Sequence, residues 1–166
     1  MRSRLAGLVL MLCMASGTLA SEGVEGIVLS PQEALKTARQ CSRLSPTPVT
    51  GTWTPSGNEI KALESALPVY FRAQALEWNG FLTKQRIDPR DGDKLLARYR
   101  RQYAGLILGN RKIIYLNAFM SNTFADERFE WRNKAMSVCD GGAIAFGVEF
   151  DPATKRFDHF SFNGML

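Results

Sequence analysis

The sequence holds few of the side chains that bind soft metals: one histidine, His159, and three cysteines. Ordinary zinc and haem sites draw on several such ligands, so we expect neither a metal nor another cofactor. The chain also lacks an uninterrupted apolar run of the roughly 18 to 20 residues that a membrane-spanning helix needs. A polytopic membrane protein is therefore not expected, and neither is a transmembrane segment.

Familiar catalytic motifs are also missing from the sequence. It contains no G-x-S-x-G nucleophile motif and no glycine-rich loop that would hold a phosphate. Cys139 and His159 are the one pair that resembles a thiol nucleophile and its base, yet nothing in the sequence marks Cys139 as activated. Asp88, Asp91 and Asp93 stand close together but lack the glycine and glutamate of a calcium-binding EF-hand loop. We therefore predict no catalytic residue and no metal ligand, although an enzyme of unrecognised type stays open.

The first 20 residues have the three parts of a secretory signal. Arg2 and Arg4 precede a short apolar stretch, LAGLVLMLCM, and a small-residue end at Ala20 follows. The remaining chain, 21–166, is long enough for a single domain, and 45% of all 166 residues are hydrophobic, which is enough to bury a core. We expect export to the periplasm or, alternatively, secretion from the cell.

Export changes the interpretation of charge and cysteine. Removal of the signal would lower the formal net charge from +5 to +3, a modest excess with which we do not expect nucleic acid binding. It would also leave two cysteines, Cys41 and Cys139. An even count in an oxidising compartment favours one disulfide between them, although two free thiols are the alternative.

Helix signals occupy the first part of the mature sequence. Ser30, a following proline and Glu33 form a typical helix start with a capping box, and this helix should continue to about Leu44. A second helix is predicted from Asn58, because apolar residues recur there at helical spacing through Leu76. Pro68 should kink or divide that second helix.

Strand signals dominate the second part. Runs rich in Ile, Leu, Tyr and Phe are separated by short turns, including Gly109-Asn110 and Gly141-Gly142. The predicted strands are 103–108, 112–119, 131–139, 144–150 and 156–163. Helices followed by consecutive strands predict an α+β fold, with the N-terminal helices packed on one face of a four- to five-stranded antiparallel meander sheet. The first two strands are apolar on both faces, which predicts cover from within the chain or, alternatively, an exposed binding surface.

Basic residues are concentrated between positions 84 and 112, where nine Lys or Arg face three Asp. The segment KLLARYRRQY within it is predicted to form a third helix, on which three basic residues share one face at i, i+4, i+7 spacing. These residues are Lys94, Arg98 and Arg101. They form either a solvated helix face or a docking patch for an acidic partner.

Several blocks resemble a group of small exported bacterial proteins of unassigned function. The blocks are TGTWTPSGNEIKALESALP (50–68), YRRQYAG (99–105), KIIYLNAF (112–119), SVCDGG (137–142) and GVEFDPATKRF (147–157). The resemblance implies the same order of elements and no particular activity. Members of that group often place a cysteine after the NAF-like block, where this chain has Met120, so the resemblance leaves the partner of Cys139 open.

Three functions follow as hypotheses. The first is a non-enzymatic exported binding protein, possibly an inhibitor or immunity factor, with Lys94, Arg98 and Arg101 as electrostatic anchors for an acidic protein surface. The second is an envelope enzyme acting on a cell-wall or lipid substrate. The third is a subunit of an envelope complex, which the doubly apolar hairpin would suit.

Overall fold

The computed structural model describes residues 25–122 and 130–164. The predicted signal sequence lies outside the described residues. The helices are α1 (Pro31–Lys36), α2 (Gly57–Glu77), α3 (Asn79–Lys84) and α4 (Gly92–Leu96). The strands are β1 (Gly26–Val28), β2 (Gly51–Thr52), β3 (Tyr99–Leu108), β4 (Arg111–Met120), β5 (Ala145–Asp151) and β6 (Arg156–Phe162). Among the described residues, no helix is both long and apolar enough to cross a bilayer.

The strands form one mostly antiparallel sheet in the order β1-β3-β4-β5-β6. Strands β3 to β6 are joined as the predicted meander, and β1 and β2 both pair with β3, β1 in parallel and β2 antiparallel. The predicted mixed class is therefore confirmed, but the sheet has six strands rather than four or five. Strands of two or three residues are too short to show an alternating pattern, which is why β1 and β2 were not predicted.

The prediction of a strand at 131–139 is wrong, because β4 pairs directly with β5 and this segment follows an irregular path. Side chains of the sheet, rather than a neighbouring strand, form hydrogen bonds with the backbone of the segment 131–139. The Gln102 amide donates to the Trp131 and Lys134 carbonyls, at 2.5 and 2.7 Å. The Asn117 amide donates to the Met136 carbonyl at 2.8 Å. The segment therefore lies against the sheet without joining it.

Both faces of the sheet are covered, which places the core in two layers. On one face, apolar residues of α2, α3 and α4, with Phe71 at the centre, pack against alternate residues of the strands. On the other face, Ala34 of α1 packs with Leu106 and Tyr115. The prediction that all helices share one face is therefore wrong for α1. The doubly apolar hairpin is buried within the chain and is not an exposed binding surface.

Helix α2 is a single helix that contains Pro68. It begins at a complete capping box, in which the Ser56 hydroxyl accepts the Glu59 N–H at 3.4 Å and the Glu59 carboxylate accepts the Ser56 N–H at 2.8 Å. Its residues Leu63, Leu67 and Phe71 are fully buried at helical spacing, as predicted. By contrast, Leu76 is exposed and does not continue that apolar face into the core.

The third predicted helix is correct only at its start. Helix α4 ends at Leu96, and the chain enters β3 at Tyr99, because ten residue pairs with β4 form there. From Tyr99 onward the side chains alternate between the two faces of the sheet, as in a strand. Tyr99 and Tyr103 pack in the layer of α2, and Ala104 packs in the other layer. The prediction that Lys94, Arg98 and Arg101 share one face of a helix is therefore wrong.

The predicted disulfide is confirmed. Cys41 and Cys139 are bonded, with Cα atoms 5.0 Å apart and 98 positions apart in sequence. The bond joins the loop that follows α1 to the irregular segment 131–139, so both coverings of the second sheet face are held together. It also occupies the Cys139 thiol, which argues against the nucleophile considered for it.

Candidate docking surface

The structure separates the three predicted anchors into two groups. Lys94 lies on α4 and Arg98 in the turn between α4 and β3, and both line one shallow depression of about 210 Å³. Arg101 lies on β3 and points toward the inside of the molecule, where its side chain is only 6% exposed. A partner could therefore reach Lys94 and Arg98, but not Arg101.

Arg101 is part of a polar contact between the sheet and α2. Its guanidinium pairs with the carboxylate of Glu64, whose other oxygen accepts the Tyr103 hydroxyl at 2.7 Å. The Glu64 side chain is 28% exposed. Burial, followed by the charge of Glu64, raises the pKa of the Tyr103 phenol well above its ordinary value. These groups fix the position of α2 over β3, which is a structural role.

The depression that contains Lys94 and Arg98 continues into a larger cavity of about 600 Å³. The two share Arg86, Ile87 and Asp88 as lining residues. We call this continuous area the α3–α4 surface. Both parts are lined by a mixture of apolar and charged residues, with Leu76 in the larger part and Lys94 and Arg98 in the smaller. The lining residues used below are Leu76, Arg86, Ile87, Asp88, Arg90, Asp91, Lys94 and Arg98.

Two carboxylates of this surface are committed to neighbouring cations. The Arg90 side chain and backbone donate hydrogen bonds to Asp88 and lower the pKa of its carboxyl to about 2. Lys94 donates to Asp91 at 2.9 Å, and this bond raises the pKa of the lysine. Asp88, Arg90 and Lys94 are therefore ionised at neutral pH. Asp88 and Asp91 are thus explained by ion pairs and by the capping of the 3₁₀ turn at Pro89–Asp91.

Two other cations of the surface have no such partner. Among the residues that the structure describes, the side chains of Arg86 and Arg98 form neither a hydrogen bond nor an ion pair. An exposed ion pair between Arg72 and Asp93, with a 2.8 Å contact, joins α2 to α4 beside the surface. The α3–α4 surface therefore offers two guanidinium groups without a partner among the described residues, and such groups suit external carboxylates.

Sequence reasoning missed Arg86 and Leu76 as residues of this surface. Arg86 was visible as one member of the basic cluster, but its place depends on the turn after α3, where it has a φ of 59°. Leu76 fitted the apolar pattern of α2, and only the packing shows that it faces outward, 57% exposed. An apolar residue beside unpaired arginines is a common feature of protein interfaces.

Within the described ranges 25–122 and 130–164, no group of three or more His, Cys, Asp or Glu is arranged to hold a metal ion. His159 lies exposed on β6, at a φ of 55°, beside the bulge between β5 and β6. The Cys139 sulfur is bonded to Cys41 and is not free to act with it.

Comparisons with protein-family models, with curated proteins and with solved structures find no match. The resemblance to small exported bacterial proteins therefore stays an expectation.

Proposed function

We propose that this chain is a non-enzymatic exported binding protein and that its α3–α4 surface docks an acidic patch on a protein partner. The observation that carries the proposal is the pair of unpaired guanidinium groups, Arg86 and Arg98, on one continuous surface with exposed Leu76. Arginine in a rigid setting forms bidentate pairs with carboxylates, and a nearby apolar residue adds desolvated contact area.

Export is part of the proposal. It is supported by the signal-like N-terminal sequence and by the Cys41–Cys139 disulfide, since disulfides persist mainly in oxidising compartments. The periplasm is the expected location. In that compartment the sharpest version of the function is an inhibitor or immunity factor, whose partner is an envelope-acting toxin or a lysozyme-like enzyme.

The roles of the three original anchors change in this proposal. Arg98 remains an anchor, Lys94 contributes charge while paired to Asp91, and Arg86 replaces Arg101. Charge in such an arrangement mainly accelerates and orients association, so binding should weaken as ionic strength rises.

The experiment uses the chain tagged at its carboxyl terminus and expressed in its own host. Proteins retained by the wild type are identified by cross-linking and mass spectrometry, and the affinity of the purified partner is then measured by biolayer interferometry. The test variant carries Arg86→Glu and Arg98→Glu. The matched control carries Arg156→Glu, which reverses an exposed arginine at the start of β6.

The double variant should bind the partner at least about tenfold more weakly at physiological salt, because like charges would then face each other. Arg156→Glu should bind as the wild type does, and both variants should keep the wild-type melting temperature. Equal affinity of all three proteins would overturn the α3–α4 surface as the docking site. Recovery of a monomer with no stoichiometric partner would overturn the binding function and favour the envelope enzyme.

A further inference from the structure

A second concave site lies on the side of the sheet that α1 covers, opposite to α2. Its lining residues come from α1, the turn that follows α1 and the loop 43–49. This groove has a volume of about 810 Å³. Its lining shares no residue with the α3–α4 surface. A volume in this range is typical of sites that enclose a small organic molecule. The groove is therefore large enough for a small ligand and separate from the docking surface.

Arg43 forms a buried charged wall of the groove. Its side chain is 4% exposed and pairs at 2.9 Å with Glu149, whose side chain is 2% exposed on β5. The guanidinium also donates to the carbonyls of Thr47 and Ala38, at 3.1 and 3.4 Å. Its Nε atom is buried and has no hydrogen-bond acceptor. The structure thus holds a charged group rigidly at the groove and leaves one donor unused.

Two further cations lie on the α1 side of the groove. Lys36 is mostly exposed and pairs with Glu33 at 2.5 Å, an arrangement that contributes little when it is solvated. The Arg39 side chain forms no hydrogen bond or ion pair among the described residues. No carboxylate is found among the described residues that line the groove. Since Glu149 pairs with Arg43 and Glu33 pairs with Lys36, the net attraction for an anion comes mainly from Arg39.

The remaining lining is mainly apolar and offers few backbone donors. Leu35 is 52% exposed and lines the groove together with the prolines at 46 and 48 and Val49. A proline has no N–H, and the Thr47 carbonyl is already taken by Arg43. An extended peptide binds largely through main-chain hydrogen bonds, for which the two prolines offer no donor. An alkyl chain needs none.

We propose that this groove binds a fatty acid, with its carboxylate at the cations Lys36, Arg39 and Arg43 and its alkyl chain against Leu35 and the proline wall. The site is independent of the docking surface and would give the protein a second ligand. A cation cluster at one part of an otherwise apolar groove matches the two ends of such an amphiphile.

The probe is dodecanoate, titrated below its micelle concentration into the full chain by isothermal titration calorimetry. Dodecyltrimethylammonium tests the sign of the head group, dodecyl sulfate tests whether a carboxylate is required, and an acidic peptide tests the alternative class of ligand. The variants are Arg39→Gln, which removes the unpaired cation, and Leu35→Gln, which removes apolar lining. Arg98→Gln is the matched control, because it removes an unpaired arginine from the other surface.

Dodecanoate should bind saturably at one site, and each groove variant should weaken it by about three- to tenfold. Arg98→Gln should leave dodecanoate binding unchanged, so the groove can fail or succeed independently of the docking function. No saturable binding, or binding unaffected by Arg39→Gln and Leu35→Gln, would overturn the site. Equally tight binding of the ammonium amphiphile, of dodecyl sulfate or of the acidic peptide would overturn the assignment to a fatty acid.

Discussion

Replacement of Arg101 should destabilise the fold, because this arginine supports α2 rather than a docking surface. In Arg101→Met the Glu64 carboxylate would keep the Tyr103 hydroxyl and lose its cation. Removing one partner of a fully buried ion pair costs about 3–5 kcal/mol. Water can partly solvate Glu64, which is 28% exposed, so we expect a loss of about 2–3 kcal/mol in the free energy of unfolding.

The assay is urea denaturation followed by tryptophan fluorescence, since Trp53 and Trp78 pack against the core layer that contains α2. With a urea dependence of about 2 kcal/mol/M, the midpoint should fall by about 1–1.5 M. The matched control, Arg98→Met, removes an arginine three positions away whose side chain has no partner among the described residues. Its stability should stay within about 0.5 kcal/mol of the wild type.

A double-mutant cycle with Glu64→Gln isolates the interaction itself. Arg101→Met and Glu64→Gln should be clearly less than additive, because either change alone already breaks the same contact. If Arg101→Met is as stable as Arg98→Met, or if the two changes add independently, then the Arg101–Glu64 pair does not hold α2 on the sheet.

Two further predictions concern cross-linking and acid stability. Replacing both Cys41 and Cys139 by Ser should lower the free energy of unfolding by about 2–5 kcal/mol, because the disulfide closes a long loop. Urea denaturation measures this change, and an unchanged midpoint in both the double variant and the reduced wild type would contradict it. Glu59→Ala should cost about 0.5–1 kcal/mol at pH 7, because the capping box of α2 is lost. Hydrogen bonds from Ser56 lower the pKa of Glu59 in the folded state below its ordinary value, so the stabilisation that Glu59 provides is complete near neutral pH and is lost as the pH falls through that lowered pKa. The melting temperatures of the wild type and Glu59→Ala should therefore converge in acid. A difference in melting temperature that stays constant with pH would refute the assignment.

Most local elements could be predicted from the sequence. The buried face of α2 followed from the spacing of Leu63, Leu67 and Phe71, and the hairpin β3–β4 followed from two apolar runs around Gly109. The failures occurred where a local pattern fits two structures. KLLARYRRQY has helix-forming residues throughout, but pairing with β4 converts its second half into a strand, since tertiary contacts outweigh a weak local propensity.

The candidate site was predictable only as a concentration of charge. The sequence shows how many basic residues lie between 84 and 112. It does not show that Arg98 has no partner among the described residues, whereas Arg101 pairs with Glu64 on a helix distant in sequence. The sequence separation between partners explains this: Arg101 and Glu64 are 37 positions apart. The lining residues of the groove beside Arg43 all lie within positions 32–49, yet the groove could not be predicted, because its shape depends on how this segment folds and on the pairing of Arg43 with the distant Glu149.

The two Ser-x-x-Glu motifs show where local information ends. Each motif by itself determined a helix start, and both Ser30 and Ser56 cap their helices. Glu59 completes its capping box, whereas Glu33 accepts the backbone N–H of Ala135 at 2.8 Å, 102 positions away. A serine hydroxyl reaches only its own first turn, so sequence decides its bond. The longer glutamate side chain can reach both near and distant donors. The tertiary packing of the segment 131–139 therefore decides that Glu33 accepts a hydrogen bond from Ala135.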